Sequence, residues 1–115
     1  MIRAINRDML RKKLRESPGR VILIDVRDKA DYEAEHIKGS ISVPIGELLM
    51  RALEHWDKDH EVIVYCGSFE CPASTKAAKL LDDAGFENVI EYEGGLKDWK
   101  MAGFMTDGAG AIKAA

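Results

Sequence analysis

The chain has 115 residues, of which 46% are hydrophobic and 32% are charged, and its formal net charge is -3. This length and composition are typical of one soluble globular domain with a single hydrophobic core. Charges of both signs are mixed along the chain, and there is no basic stripe of the kind that binds nucleic acid. No apolar run is long enough to span a membrane.

Helix and strand patterns alternate in the first half of the chain. Asn6 is suited to cap the first helix, which would face inward with Met9, Leu10 and Leu14 and end at Ser17-Pro18-Gly19. The predicted elements are a helix over residues 7–16, a buried strand over 21–24, a short helix over 28–35 and a brief strand over 41–43.

The second half continues this alternation. Pro72 suits the first position of a helix and Gly85 suits its C-terminal cap. The predicted elements are an amphipathic helix over residues 45–56, a buried strand over 62–65, a helix over 72–84, a strand over 89–92 and a short helix with Leu96 and Trp99. We therefore expect one domain over residues 1–105, followed by a flexible tail, rich in Gly and Ala, over 106–115.

Short buried strands that alternate with helices predict an α/β fold, in which a parallel sheet is covered by helices on both faces. Ligands of such sheets bind at the carboxyl ends of the strands. Cys66 lies at such an end, directly before a short loop and a helix N-terminus. Backbone N–H groups and the helix dipole favour an anion there, so Cys66 is a candidate reactive thiolate. The alternative is a small buried cysteine without a chemical role.

The two cysteines, Cys66 and Cys71, are too few for a zinc site without a matching pair of histidines or cysteines, so we expect no metal and no cofactor. Charged residues near the N-terminus are unlike a secretory signal and predict a cytoplasmic location. In that compartment the two cysteines are not expected to form a permanent structural disulfide.

Three motifs in this order resemble a single-domain rhodanese. The first motif is Ile24-Asp25-Val26-Arg27, followed further along the chain by His36-Ile37-Lys38-Gly39. The second is Val64-Tyr65-Cys66 with the loop and helix after it. The third is Tyr92-Glu93-Gly94-Gly95 with Trp99. The resemblance spans about four-fifths of the chain. It implies a rhodanese-like α/β fold with a central, mainly parallel, five-stranded sheet.

The resemblance also implies a sulfurtransferase. Cys66 would take sulfane sulfur from a donor, hold it as a persulfide, and pass it to a thiol or another nucleophilic acceptor, either a small molecule or a protein. The active-site loop would comprise Gly67, Ser68, Phe69, Glu70 and Cys71, and its amides would stabilise the sulfur anion. Asp25 and Arg27 would support the site, with Arg27 either bracing it through an ion pair or adding positive charge to the loop.

The loop departs from the common family pattern, which has an arginine five residues after the cysteine, where this chain has Cys71. The loop contains one acid, Glu70, and no base, so thiosulfate is a doubtful donor. A subset of the family has Cys-x4-Cys in this loop, and the chain resembles that subset. Cys71 is open to three interpretations: an inert residue, a thiol that resolves an oxidised or persulfidated Cys66, or a second sulfur carrier.

Three functions therefore stay open from the sequence. The chain is a sulfurtransferase that works through Cys66, a thiol-disulfide redox protein that uses Cys66 and Cys71, or a non-catalytic interaction module. We expect neither nucleic acid nor a membrane as a partner. Phe69, at the tip of the loop, either docks a partner protein or folds inward.

Overall fold

The computed structural model describes residues 2–110 of the chain. In chain order the elements are β1 (Ile2–Ala4), α1 (Arg7–Glu16), β2 (Val21–Asp25), α2 (Lys29–Ala34), β3 (His36–Ile37), β4 (Ile41–Ser42), α3 (Ile45–His55), β5 (Glu61–Tyr65), α4 (Ala73–Asp83), β6 (Asn88–Tyr92), α5 (Gly95–Met101) and β7 (Thr106–Asp107).

The main sheet has five strands in the order β1-β6-β5-β2-β4, and every pairing in it is parallel. The predicted α/β fold with a parallel five-stranded sheet is therefore confirmed. Strand β1 was not predicted from the sequence. Its three residues are exposed and lack an apolar run, and their strand conformation comes from pairing with β6.

Helices cover both faces of the sheet, as the buried strands require. On one face α3 and α4 pack on a core cluster that includes Leu48, Ala77, Leu81 and Cys66. On the other face α1 and α5 pack on a second cluster that includes Leu10 and Trp99. Alternate residues of β2 and β5 supply the two clusters, so the central strands are buried on both faces.

Two expectations need correction. Met9 does not face inward but is 56% exposed, because the residues of α1 that reach the core are Leu10 and Leu14. The domain also does not end at residue 105. Thr106–Asp107 pairs antiparallel with β3, and the Gly110 N–H donates to the Ala34 carbonyl, so backbone hydrogen bonds attach this segment. The rest of the predicted tail, residues 111–115, lies outside the described residues.

No helix among residues 2–110 is both long and apolar enough to cross a membrane.

Candidate active site

Cys66 directly follows β5 in the middle of the sheet, and its loop leads into α4. Asp25 ends the neighbouring strand β2 and lies beside Tyr65 in the parallel register. The Val26 N–H donates to the Tyr65 carbonyl at 3.1 Å, which holds the two strand ends together. The sheet thus brings Asp25, Arg27 and Cys66 to one edge, where parallel strands place their ligands.

Cys66 and Cys71 are joined by a disulfide, and their Cα atoms are 6.3 Å apart. This separation lies within the range that a disulfide allows. Cys66 is only 4% exposed, whereas Cys71 is partly exposed at the entry to α4. The loop therefore permits direct chemistry between the two sulfur atoms.

The start of α5 holds the loop from the other side. The N–H groups of Leu96 and Lys97 donate to the carbonyls of Cys66 and Gly67 at 3.0 and 2.9 Å. Gly95 makes this approach possible, because its φ is +66° and a Cβ there would lie 2.5 Å from the Cys66 carbonyl oxygen. Gly95 of the third motif thus allows α5 to hold the loop that carries Cys66.

The loop also offers unpaired amides. The Cys71 N–H closes a turn on the Ser68 carbonyl at 3.2 Å, but the N–H groups of residues 67–70 donate to no acceptor within the described chain. The first turn of α4 follows immediately and adds the positive end of its dipole. The loop that follows Cys66 therefore has N–H groups that the fold itself does not use.

Asp25 is fully buried and is matched by one guanidinium. Arg27 Nε donates to Asp25 Oδ1 at 3.0 Å, and its Nη2 donates to Oδ2 at 2.7 Å and to the Glu35 carbonyl at 2.6 Å. Burial opposes the charge of Arg27, but the hydrogen bonds and charge of Asp25 outweigh it and raise the Arg27 pKa. This geometry favours Arg27 as a brace rather than as a free cation for the loop.

Tyr65, which lies beside Asp25 in the sheet, forms hydrogen bonds with residues on either side of the turn that joins β3 to β4. Its hydroxyl accepts from the Ile37 N–H at 3.1 Å and lies 2.9 Å from Ser40 Oγ. Burial raises the pKa of the Tyr65 phenol, and the negative charge of Asp25 raises it further. The phenol therefore stays protonated and serves as a neutral hydrogen-bonding group below the loop.

The loop tip points outward. Phe69 is 68% exposed and lines a surface cleft with Tyr92, Glu93 and Asp98. The inward alternative for Phe69 is therefore wrong, although its role in docking stays a prediction. Glu70 is also exposed, and no described basic residue forms an ion pair with it.

Two charged groups near the loop, Lys97 and Glu91, were not predicted from the sequence. Lys97 lines a cleft of about 410 Å³ with Gly67 and Arg27, so a cation does lie beside the loop, although it comes from α5. Glu91 is a buried carboxylate that accepts hydrogen bonds from the hydroxyls of Ser74 and Thr75 in the first turn of α4. For Glu91 the sequence does contain a signal, because it is the single charge within the apolar strand over residues 89–92. For Lys97 no feature of the sequence indicates a position beside the loop.

Within residues 2–110, no group of three or more His, Cys, Asp or Glu side chains is arranged to hold a metal ion.

Known proteins agree with this architecture. A family model described as the rhodanese-like domain matches residues 7–102. The thiosulfate sulfurtransferase PspE of Escherichia coli is 39% identical over 79 residues, which are 68% of this chain and 73% of that protein. The putative sulfur carrier protein YrkF of Bacillus subtilis is 36% identical over 77 residues, 67% of this chain and 40% of that protein.

Another relative is the HTH-type transcriptional regulator Rv0324 of Mycobacterium tuberculosis, 37% identical over 93 residues, which are 81% of this chain and 40% of that protein. This chain thus spans less than half the length of Rv0324 and YrkF.

Among solved structures, the rhodanese-like domain of the Anabaena protein Alr3790 has a TM-score of 0.85 and 32% identity, with 100% of this chain and 88% of that chain covered. The family match covers most of the chain, and the similarity to the Anabaena domain extends over the whole fold. The chain belongs to the rhodanese-like domain family.

Proposed function

We propose that the protein is a sulfurtransferase that carries sulfane sulfur as a persulfide on Cys66. The observation that supports this most directly is the position of Cys66 between β5 and α4, beside four loop N–H groups with no acceptor in the described chain. Relatives named thiosulfate sulfurtransferase and sulfur carrier support the same reaction class. We also propose that the chain belongs to the Cys-x4-Cys subset of the family.

The reaction starts from the dithiol form. The Cys66 thiolate attacks the sulfane sulfur of a donor, and the leaving group takes the electron pair of the broken bond. The resulting persulfide is an anion, which the N–H groups of residues 67–70 stabilise. A thiol or another nucleophile on the acceptor then attacks the terminal sulfur. The bond between the two sulfur atoms of the persulfide breaks, and Cys66 is restored as a thiolate.

Cys71 has a resolving role in this proposal. Its thiolate attacks the Cys66 sulfur of the persulfide, the bond to the terminal sulfur breaks, and hydrosulfide leaves with that electron pair. The product is the Cys66–Cys71 disulfide present in the structure. A dithiol reductant restores the starting form and is itself oxidised to a disulfide.

The disulfide also favours a second candidate function, a thiol-disulfide redox protein that cycles between dithiol and disulfide without sulfur transfer. Both candidates use the same two residues and differ in what Cys66 reacts with. In the first candidate it accepts sulfane sulfur, and in the second it exchanges with a disulfide. For both we propose a cytoplasmic location, because cellular thiols there regenerate the dithiol.

The test is intact mass spectrometry of the reduced protein after incubation with inorganic polysulfide. We expect the Cys71→Ser variant to gain one sulfur atom and to hold it, because the nearest attacking thiol is gone. We expect the wild type to gain the sulfur only briefly, to release hydrosulfide, and then to lose two hydrogens as the disulfide forms.

Cys66→Ser is the matched control, since it keeps Cys71 as the one cysteine and should gain no sulfur. Sulfur retained by Cys66→Ser but not by Cys71→Ser would instead identify Cys71 as the carrier. A wild type that forms only the disulfide, together with a Cys71→Ser variant that gains nothing, would favour the redox protein. No change in any variant would leave a non-catalytic module.

A further inference from the structure

A cavity of about 450 Å³ opens between α1 and α5, at the opposite end of the sheet from Cys66. Its lining includes Pro18 and Gly19 in the turn before β2, whereas Cys66 lies at the carboxyl end of β5. We call it the α1–α5 cavity. Its volume lies in the range of small-molecule sites, and no step proposed for Cys66 uses it.

The walls of the α1–α5 cavity are largely apolar and aromatic. Trp99 and Phe104 meet edge to face with their ring centroids 4.9 Å apart, and Leu14 of α1 also lines the cavity. The Trp99 indole N–H donates to the Met105 carbonyl at 2.8 Å, so the ring orientation is fixed. Such walls suit the flat or aliphatic body of an organic molecule.

The polar part of the lining has one sign of charge. Arg11, Arg15 and Lys38 line the cavity, and no lining residue is acidic. The Arg11 guanidinium lies 4.4 Å from the centre of the Phe104 ring. None of these three cations forms an ion pair with a carboxylate of the described chain. Arg11 and Arg15 also border a second surface depression, with Asp8, Lys12 and Glu16.

Three cations that line an apolar cavity and form no ion pair attract a molecule of opposite charge. We propose that the α1–α5 cavity binds a small organic anion with an apolar body, such as an aromatic or medium-chain carboxylate or sulfonate. The body lies against Trp99 and Phe104, and the anionic head lies among Arg11, Arg15 and Lys38. A hydrophobic neutral molecule would leave these cations without a partner, and an organic cation would be repelled by them.

Three probes with the same naphthalene ring but different charge test this proposal on the full chain: naphthalene-2-sulfonate, naphthalene-2-methanol and naphthalene-2-methylammonium. Each is titrated into nitrogen-15-labelled protein, and the NMR signal of the Trp99 indole N–H is followed. Trp56→Phe identifies this signal, because the chain has only these two tryptophans. We expect the sulfonate to bind with a Kd below about 1 mM and about tenfold more tightly than the alcohol, with the ammonium weakest.

Charge-reversal variants then test the cations that line the cavity. Arg15→Glu and Lys38→Glu should each weaken sulfonate binding by about threefold or more. Lys79→Glu on α4, which reverses an exposed lysine outside the cavity, should not weaken it. Circular dichroism of each variant verifies that the fold is kept, and the milder Lys38→Gln should weaken binding in the same direction.

Four results would overturn the proposal. The first is equal or tighter binding of the alcohol or the ammonium. The second is that the sulfonate shifts NMR signals elsewhere in the protein but not the Trp99 signal. The third is that Arg15→Glu and Lys38→Glu leave the affinity for the sulfonate unchanged. The fourth is occupation of the cavity by a second copy of the chain, seen as concentration-dependent shifts of the same signals without any probe.

Discussion

At the scale of single residues, the buried carboxylate of Asp25 depends on Arg27. Arg27→Ala should lower the free energy of unfolding by about 3–5 kcal/mol, because a fully buried carboxylate loses its ion-pair partner. Urea denaturation measures this change. Lys29→Ala is the control, since it breaks an exposed pair with Glu33 and should cost less than about 0.5 kcal/mol. Equal costs for the two variants would contradict the bracing role of Arg27.

Glu35 gives the molecule a pH dependence. Its hydrogen bond with Lys100, aided by Thr106, lowers the pKa of Glu35 below its ordinary value of about 4.5. A lowered pKa in the folded state means that the contribution to stability is complete above about pH 4.5 and is lost as the pH falls through the lowered value. Lys100→Met should therefore reduce stability at pH 7 more than at pH 3, as measured by urea denaturation.

Lys97→Met is the matched control for Lys100→Met, because Lys97 is on the same helix and forms no ion pair with a described residue. It should change stability equally at both pH values. A Lys100→Met variant with a constant loss from pH 7 to pH 3 would show that Glu35 contributes no pH dependence through this contact.

The charges around the loop predict how the protein uses thiosulfate. Glu70 repels a dianionic donor and Lys97 attracts it, while Arg27 is occupied by Asp25. We expect thiosulfate to react more slowly than polysulfide, Glu70→Gln to raise the thiosulfate rate about two- to fivefold, and Lys97→Met to lower it similarly. Sulfite release by the reduced protein measures these rates. Identical rates in wild type and both variants would remove the charge argument.

At the scale of elements, the contact between α5 and the loop depends on Gly95. Gly95→Ala should destabilise the fold by about 2 kcal/mol or more, because the new Cβ meets backbone atoms of residues 66–68 in a conformation that side chains disfavour. It should also slow persulfide formation on Cys66, since the loop must move. Urea denaturation and intact mass give the two readouts.

Gly46→Ala is the control for this substitution. Gly46 lies in α3 with nothing within 4 Å of the position of its Cβ, and its φ is not positive. Alanine there should raise stability by about 0.5–1 kcal/mol, because it favours the helix. A destabilisation at Gly46 as large as that at Gly95 would refute the close approach as the cause.

At the scale of the whole molecule, the disulfide couples the state of the loop to the stability of the fold. Reduction of the Cys66–Cys71 bond should lower the free energy of unfolding by about 2 kcal/mol, because the unfolded chain regains the conformations that a short closed loop excludes. Denaturation with and without dithiothreitol measures the difference. Cys71→Ser should be insensitive to dithiothreitol, and equal stabilities of both wild-type forms would contradict the coupling.

The sequence by itself determined the elements that have their own pattern of burial. The helix over residues 7–16 and the central strands β2, β5 and β6 were predicted within one residue at each end, because buried strands must be apolar and a surface helix must have an apolar face. Cys66 followed from the same logic, since its place is the end of such a strand. The fold class followed from the alternation of these elements.

Only the tertiary structure decided the features that depend on residues far apart in the chain. β1 has three exposed residues, and β3 and β7 have two residues each, so pairing with another strand, rather than a pattern of their own, makes them strands. Lys97 reaches the loop because α5 docks its first turn on the Cys66 and Gly67 carbonyls. The α1–α5 cavity exists because packing leaves a gap between α1 and α5. The sequence of either helix alone does not predict how their two surfaces fit together.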